Sequence, residues 1–146
     1  MILPDVNLLL YAHNSSAPSH NLAARWWREC LAGTETVGLT APVAFGFLRI
    51  VTLRVFPHPL SPAVAVAEVS SWLRRAQVEF IDITIAAAHR ALGLLEAAGT
   101  AGNLVTDAQI AAVALQHNAV VHTADADFSR FPGVRWFNPI TGQRGR

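Results

Sequence analysis

The sequence predicts a single α/β domain built on a mainly parallel sheet. Short apolar strands alternate with helical stretches along the chain, the pattern of parallel strands joined by crossover helices. No internal repeat, low-complexity tract or linker interrupts the 146 residues, a length that suits one domain with a proper core. Aspartates also stand just beyond two of the apolar strands, where open α/β sheets bind their ligands.

In order along the chain, Ile2 and Leu3 form a short strand, followed at once by Asp5, Asn7 and a second apolar run, Leu8–Ala12. Ser19 is placed to cap a helix that runs to about Ala32 and closes at Gly33. Its apolar positions Leu22, Ala23, Trp26, Trp27, Cys30 and Leu31 keep helical spacing. Val37–Leu39 is a strand. A helix follows from about Pro42 to Thr52, with Gly46 at its middle, where glycine costs about 1 kcal/mol against Ala. Leu53–Leu60 is a proline-containing loop. Ser61-Pro62 then pairs a cap with proline at the first helical position, and this helix runs to about Ala76 with Arg74-Arg75 near its end. Val78–Ile83 is a strand, and Thr84 starts a helix that Gly99 stops near Ala98. Asn103–Asn118 is a helix with Thr106 and Asp107 in its first turn. Ala119–His122 is a strand, Thr123–Phe128 a loop and Val134–Phe137 the last strand. Residues 138–146 form a polar tail expected to fray.

Composition removes several classes of function. Apolar residues make up 52% and charged residues 14% of the chain, so it is neither disordered nor a polyelectrolyte. A net charge of +1 argues against a general nucleic-acid glue, though not against a local basic patch. All eleven strong cations are arginines, which excludes lysine nucleophiles and the lysine of a Walker A loop. Cys30 is the sole cysteine, so neither an intrachain disulfide nor a thiolate zinc cage can form. The start of the chain lacks a basic segment, and Asp5 interrupts any signal-peptide core. No apolar run reaches membrane-spanning length. The expectation is a soluble, cytoplasmic protein with no membrane association, whose high apolar content points to one surface covered by a partner.

Asp5, Asp107, Asp125 and Asp127 share a setting. If the sheet is parallel, all four gather along one edge. Carboxylates so close repel, and some take up protons. A divalent cation removes that penalty, and hard oxygen ligands are what Mg²⁺ and Mn²⁺ prefer. Such a metal makes a nucleophile from water and stabilises charge on a phosphodiester. Each acid also has a plainer role available: Asp5 as a helix cap, Asp107 as a complement to a helix dipole, Asp125 and Asp127 as turn formers.

The segments ILPDVNLLLYA, NLVTDAQIAAVAL and HTADADF together resemble the PIN-domain ribonucleases, most closely the VapC-type toxins of bacterial toxin–antitoxin pairs. The resemblance runs over nearly the whole chain, with the three motifs in order and suitably spaced. It implies a three-layer α/β/α sandwich around the sheet and an endoribonuclease site using Mg²⁺ or Mn²⁺. Asp5, Asp107 and Asp125 match acids of the family that bind the metal, with Asp127 close by as a further catalytic acid. Asn7 and Thr106 fall beside the metal, where they orient its ligands. One family acid has no counterpart. The family places a Glu three residues before an arginine of the second main helix; here Arg49 is present and the matching residue is Gly46, with no acid from Thr36 to Ala67.

The leading expectation is therefore a metal-dependent endoribonuclease toxin of a type II pair, restrained by a small VapB-like antitoxin and forming a homodimer. The Trp26–Trp27 helix and the apolar composition suggest a groove for that partner, and an antitoxin arginine is expected to reach the acids. RNA would be held by arginines at the rim, with Arg49, Arg54, Arg74, Arg75 and Arg130 as candidates. A degenerate PIN module that binds RNA or protein without cutting is the alternative, favoured by Gly46. A phosphatase or phosphoacceptor domain using Asp5 ranks last, because Asn7 stands where a second acid is needed and lysine is absent.

Overall fold

A computed structural model describes residues 1–146. The strands are β1 (Ile2–Pro4), β2 (Val37–Thr40), β3 (Val78–Ile81), β4 (Val120–His122), β5 (Arg135–Phe137) and β6 (Arg144–Gly145). The helices are α1 (Val6–His13), α2 (His20–Ala32), α3 (Ala41–Val51), α4 (Pro62–Leu73), α5 (Ile85–Ala98) and α6 (Leu104–His117). The sheet order is β3-β2-β1-β4-β5-β6, parallel from β3 to β5 and antiparallel at β6. No helix is long and apolar enough to cross a membrane.

The order of the strands fixes the layers. From β1 the chain steps one way to β2 and β3, so right-handed crossovers put α1–α4 on one face of the sheet. It then returns past β1 to β4 and steps on to β5, so α5 and α6 cover the opposite face. The three-layer sandwich follows. Strands β1 and β2 are buried on both sides, which is why they read as short continuous apolar runs rather than alternating ones. Glycine is needed in β2: a Cβ at Gly38 would lie 2.5 Å from the Leu3 side chain.

The core on the α1–α4 face is aromatic. Trp72 packs edge-on against Trp27 with ring centroids 5.2 Å apart and lies 4.8 Å from Phe47. Trp26 and Trp27 are 7% and 4% exposed, so both rings are mostly core, although Trp26 also borders a groove of about 290 Å³ with Glu29, Cys30 and Gly33 of the same helix end. Apolar surface is instead exposed on α3 and α4, at Phe45, Val64 and Val66.

Four boundaries differ from expectation, the first being β3, which ends at Ile81 rather than Ile83. Helix α4 ends at Leu73 rather than near Ala76, because the Arg75 N–H turns back to the Trp72 carbonyl at 2.9 Å and Val78 must start β3 beside Val37. The segment after β4 tightens into a 3₁₀ turn over Ala126–Arg130, led by Asp125, whose side chain accepts the Asp127 N–H at 2.9 Å. The expected flexible tail, 138–146, folds back as β6. Asn138 turns it: its Oδ1 accepts the N–H groups of Ile140 and Thr141, and its backbone N–H donates to Gln143 at 2.8 Å. A polar composition hid a side-chain-driven turn.

Candidate active site

The strand order reverses between β1 and β4, and such a switch point opens a crevice beyond the carboxyl ends of the two strands. Asp5 follows β1 and Asp125 follows β4, so both stand at its mouth. Helix α6 starts beside it and brings Asp107 in its first turn. Helix α3 starts at the end of β2 and closes the far side with Gly46 and Arg49. The resulting cleft, about 340 Å³, is lined by Asp5, Asn7, Gly46, Thr106, Asp107, Asp125 and Asp127 among others.

One oxygen from each of Asp107, Asp125 and Asp127 falls within 4.8 Å of the others. Asp5 lies beneath them, 3% exposed. Its Oδ2 accepts hydrogen bonds from Asn7 Nδ2 and from Thr123 Oγ1, both at 2.7 Å. Asp5 occupies the cap position of α1, yet its side chain makes no capping bond. The backbone N–H groups of Val6 and Asn7 also favour its charged form, so the helix start steadies this carboxyl while Asn7 and Thr123 hold its Oδ2. Thr123, expected only to open the loop after β4, proves central to the site. It is fully buried, donates to Asp5 and accepts the Asp125 N–H at 2.8 Å, tying the β1 acid to the β4 acid. The only signal for it was a hydroxyl residue between a strand end and the acids. Asn7 also holds this frame, with Oδ1 accepting the Ala124 N–H at 3.3 Å. Thr106 lines the cleft without a side-chain hydrogen bond.

Electrostatics show the strain of crowding four carboxyls. Burial, and then the charges of Asp5, Asp125 and Asp127, push Asp107 up to about 7. Burial also raises Asp5, against the lowering effect of its Thr123 hydrogen bond. The donor set is all oxygen and all anionic, within a few ångströms, which fits a hard divalent cation and does not fit a soft one.

This gives a pH prediction for the metal-free protein. Between the ordinary 3.8 of Asp107 and its raised value of about 7, the folded state binds more protons than the unfolded state. The Asp107 contribution to stability must then fall as pH rises across that window. Burial pushes His122 down from 6.5 to about 4, which contributes with the opposite sign between those values, so the effect is read against Asp107→Asn. Without metal, the melting temperature of the parent is expected to fall relative to that variant from pH 4 toward pH 8 and to recover on adding a divalent cation. A difference between the two that is independent of pH would show that the acids do not interact.

The arginines divide. Arg49 lines the cleft, and Arg130 stands at its rim, paired with Asp127 at 3.8 Å. Arg54 is exposed in the loop after α3 and does not line the cleft. Arg74 and Arg75 precede β3 at the opposite, amino-terminal edge of the sheet. The structure does not bring them to the acids.

Comparison with known proteins agrees with this geometry. The PIN domain family model matches residues 2–134. Ribonuclease VapC33 of Mycobacterium tuberculosis is 43% identical over 141 residues, covering 96% of this chain and 99% of that protein. Among solved structures, FitAcB from Neisseria gonorrhoeae superposes with a TM-score of 0.72 at 23% identity, covering 95% of this chain and 98% of that one. A toxin–antitoxin complex from Klebsiella pneumoniae gives 0.64 at 18% identity, with 95% and 98% covered.

Proposed function

The chain belongs to the PIN-domain family, and on that premise we propose that it is a metal-dependent endoribonuclease toxin of a type II toxin–antitoxin pair. The observation that carries the reading is the convergence of Asp107, Asp125 and Asp127 above a buried Asp5 at the switch point. Mg²⁺ or Mn²⁺ is the ion the donor set favours. Asp5, Asp107 and Asp125 would hold it, with Asp127 as a further acid whose oxygen lies within 4.8 Å of those of Asp107 and Asp125. When bound, the cation supplies Lewis-acid stabilisation of phosphodiester charge and makes water acidic enough to attack.

The chain's own residues supply position. Asn7 and Thr123 fix one oxygen of Asp5 from two sides, which leaves its orientation independent of substrate. Thr123 and the Asp125 side chain each take a backbone N–H of the acid-bearing loop, so the two loop acids are held before metal arrives. Arg49 and Arg130, at the cleft and its rim, are the candidates here for meeting the phosphates of an RNA strand. Arg130 also tempers the charge of Asp127.

The partner is a small antitoxin, seated on the exposed apolar side chains of α3 and α4. A groove of about 290 Å³ runs between them, lined by Leu48, Arg49, Thr52, Pro62, Ala65 and Val66. Homodimerisation would cover apolar side chains at the opposite face, of which Ile85 is 80% and Leu92 63% exposed. A cytoplasmic site of action follows from an RNA substrate.

The experiment is cleavage of RNA by the purified chain with Mg²⁺, with Mn²⁺ and with excess chelator. Cutting is expected only with metal, and addition of the antitoxin should suppress it. Equal activity in chelator would sink the metal mechanism. Binding of RNA without cutting under any divalent ion would favour the non-cleaving alternative.

A further inference from the structure

The largest cavity in the molecule lies away from the acids. It is a groove of about 430 Å³ on the α1–α4 face of the sheet, over β4, β5 and β6. The crossovers leave this edge uncovered. Register places Val120 beside Arg135 and His122 beside Phe137, so all four side chains point to this one face. Folding of β6 then sets Arg144 opposite Phe137, its guanidinium 5.2 Å from the ring centroid. Arg146 completes the wall.

The groove is cationic: three arginines line it against the single acidic side chain of Glu35. Arg135, Arg144 and Arg146 take part in none of the molecule's ion pairs. Arg135 is held in place by neutral groups, the backbone carbonyl of Asn118 and its Oδ1 at 2.9 Å. Glu35, the one acid in the lining, is already paired with the terminal ammonium at 3.1 Å. His122 adds a neutral donor. Burial pushes it down to about 4, and Trp26 Nε1–H donates to its Nδ1 at 3.0 Å. The ring proton is therefore on Nε2, which has no protein partner.

We propose that this Arg135–Arg144–Arg146 groove is a second contact site for the RNA strand, binding phosphates beside the scissile region. The proposal rests on the nuclease reading above. Arg144 marks the end of the groove nearer the acids, because Asp5 bonds Thr123, the Thr123 N–H donates to the Phe137 carbonyl at 3.0 Å and the Phe137 ring carries Arg144. Arg135, beside Val120, and Arg146 extend the groove toward the amino ends of β4 and β5. The groove itself spans β4 to β6, two strand spacings or about 10 Å, room for about three nucleotides of a stacked strand. Guanidinium and imidazole donors beside an aromatic ring are the elements that hold single strands through phosphates and bases together.

The test uses the full chain with two double variants, Arg144→Glu with Arg146→Glu, and Arg144→Lys with Arg146→Lys. A fluorescent single-stranded oligoribonucleotide is titrated in chelator over a range of salt, and its cleavage is followed with Mn²⁺. The glutamate pair should bind about tenfold or more weakly, with a salt slope smaller by about 1.4, the value for two phosphate contacts on a single strand. The cleavage defect should appear in KM rather than kcat. The lysine pair should stay near the parent, and matching melting curves would exclude misfolding. Unchanged affinity and slope, in a parent that cuts RNA, would overturn the groove and leave the nuclease reading standing. A parent that binds RNA through these arginines yet never cuts would support the groove and overturn the nuclease. Loss confined to antitoxin binding would overturn the proposal in favour of an acidic protein segment.

Discussion

Asp107→Asn is expected to abolish RNA cleavage while making the metal-free protein more stable. The opposite signs are the diagnostic. Asp107 offers one of three oxygens lying within 4.8 Å of one another, so an amide in its place removes an anionic ligand at no cost in volume. Loss of one group that stabilises transition-state charge costs about 10²- to 10³-fold, and a ligand that also recruits the metal should cost at least that. Without metal, the same carboxyl is pushed up to about 7 by burial and by three neighbouring carboxylates. Neutralising it relieves that repulsion above its raised value, so melting temperature without metal should rise at pH 8 and change little at pH 4. Calorimetric Mn²⁺ titration, melting at both pH values and an RNA cleavage assay read the three effects separately. Glu96→Gln, an exposed acid on α5, is the control. Retained cleavage in Asp107→Asn would remove Asp107 from the reaction.

Much of this was legible in the sequence because local chemistry set it. The strands of the switch point are short apolar runs with no other reading, and Ser61 and Thr84 do cap their helices, accepting from Val64 and Ala87. Gly99 stops α5 in the left-handed conformation, at φ 68°. The four aspartates were legible for a different reason: each has a plainer local role, but together, after two strands and at a helix start, they converge on one cleft. What was hidden depends on tertiary contact. Thr123 is an ordinary β-branched residue until Asp5 is placed against it, 118 positions away in the chain. The arginines of residues 138–146 looked like solvated ends until Asn138 turned the chain and paired β6 with β5. Arg74 and Arg75 erred in the other direction. Adjacent basic residues suggested a phosphate contact at the acids, but Arg74 and Arg75 precede β3 and do not line the acid cleft.

Gly46→Glu is expected to tighten metal binding, and the structure now says why the position can accept it. Gly46 is the middle of α3 and lines the same cleft as Asp5, Asp107, Asp125 and Asp127. A Cβ built there meets only Val6 Cγ2, at 3.7 Å, an ordinary contact. Steric need therefore does not explain the glycine. Its removal should even help the helix, so Gly46→Ala is expected to stabilise by about 0.5–1 kcal/mol and leave the metal alone. A carboxylate is different. Without metal it adds a fifth negative charge to a cluster that already raises Asp107, so Gly46→Glu should melt below Gly46→Ala. With Mn²⁺ the repulsion becomes ligation, and affinity should rise about tenfold, or about 1.4 kcal/mol. Cleavage should be kept or raised. Gly46→Gln has the same shape without the charge and separates ligation from helix propensity. If the glutamate and glutamine variants bind Mn²⁺ equally, position 46 supplies no ligand and the site is complete with four aspartates. If the glutamate variant binds metal more tightly but cuts more slowly, the missing acid is an adaptation of this chain: a weaker hold on a second cation, which speeds exchange at the site.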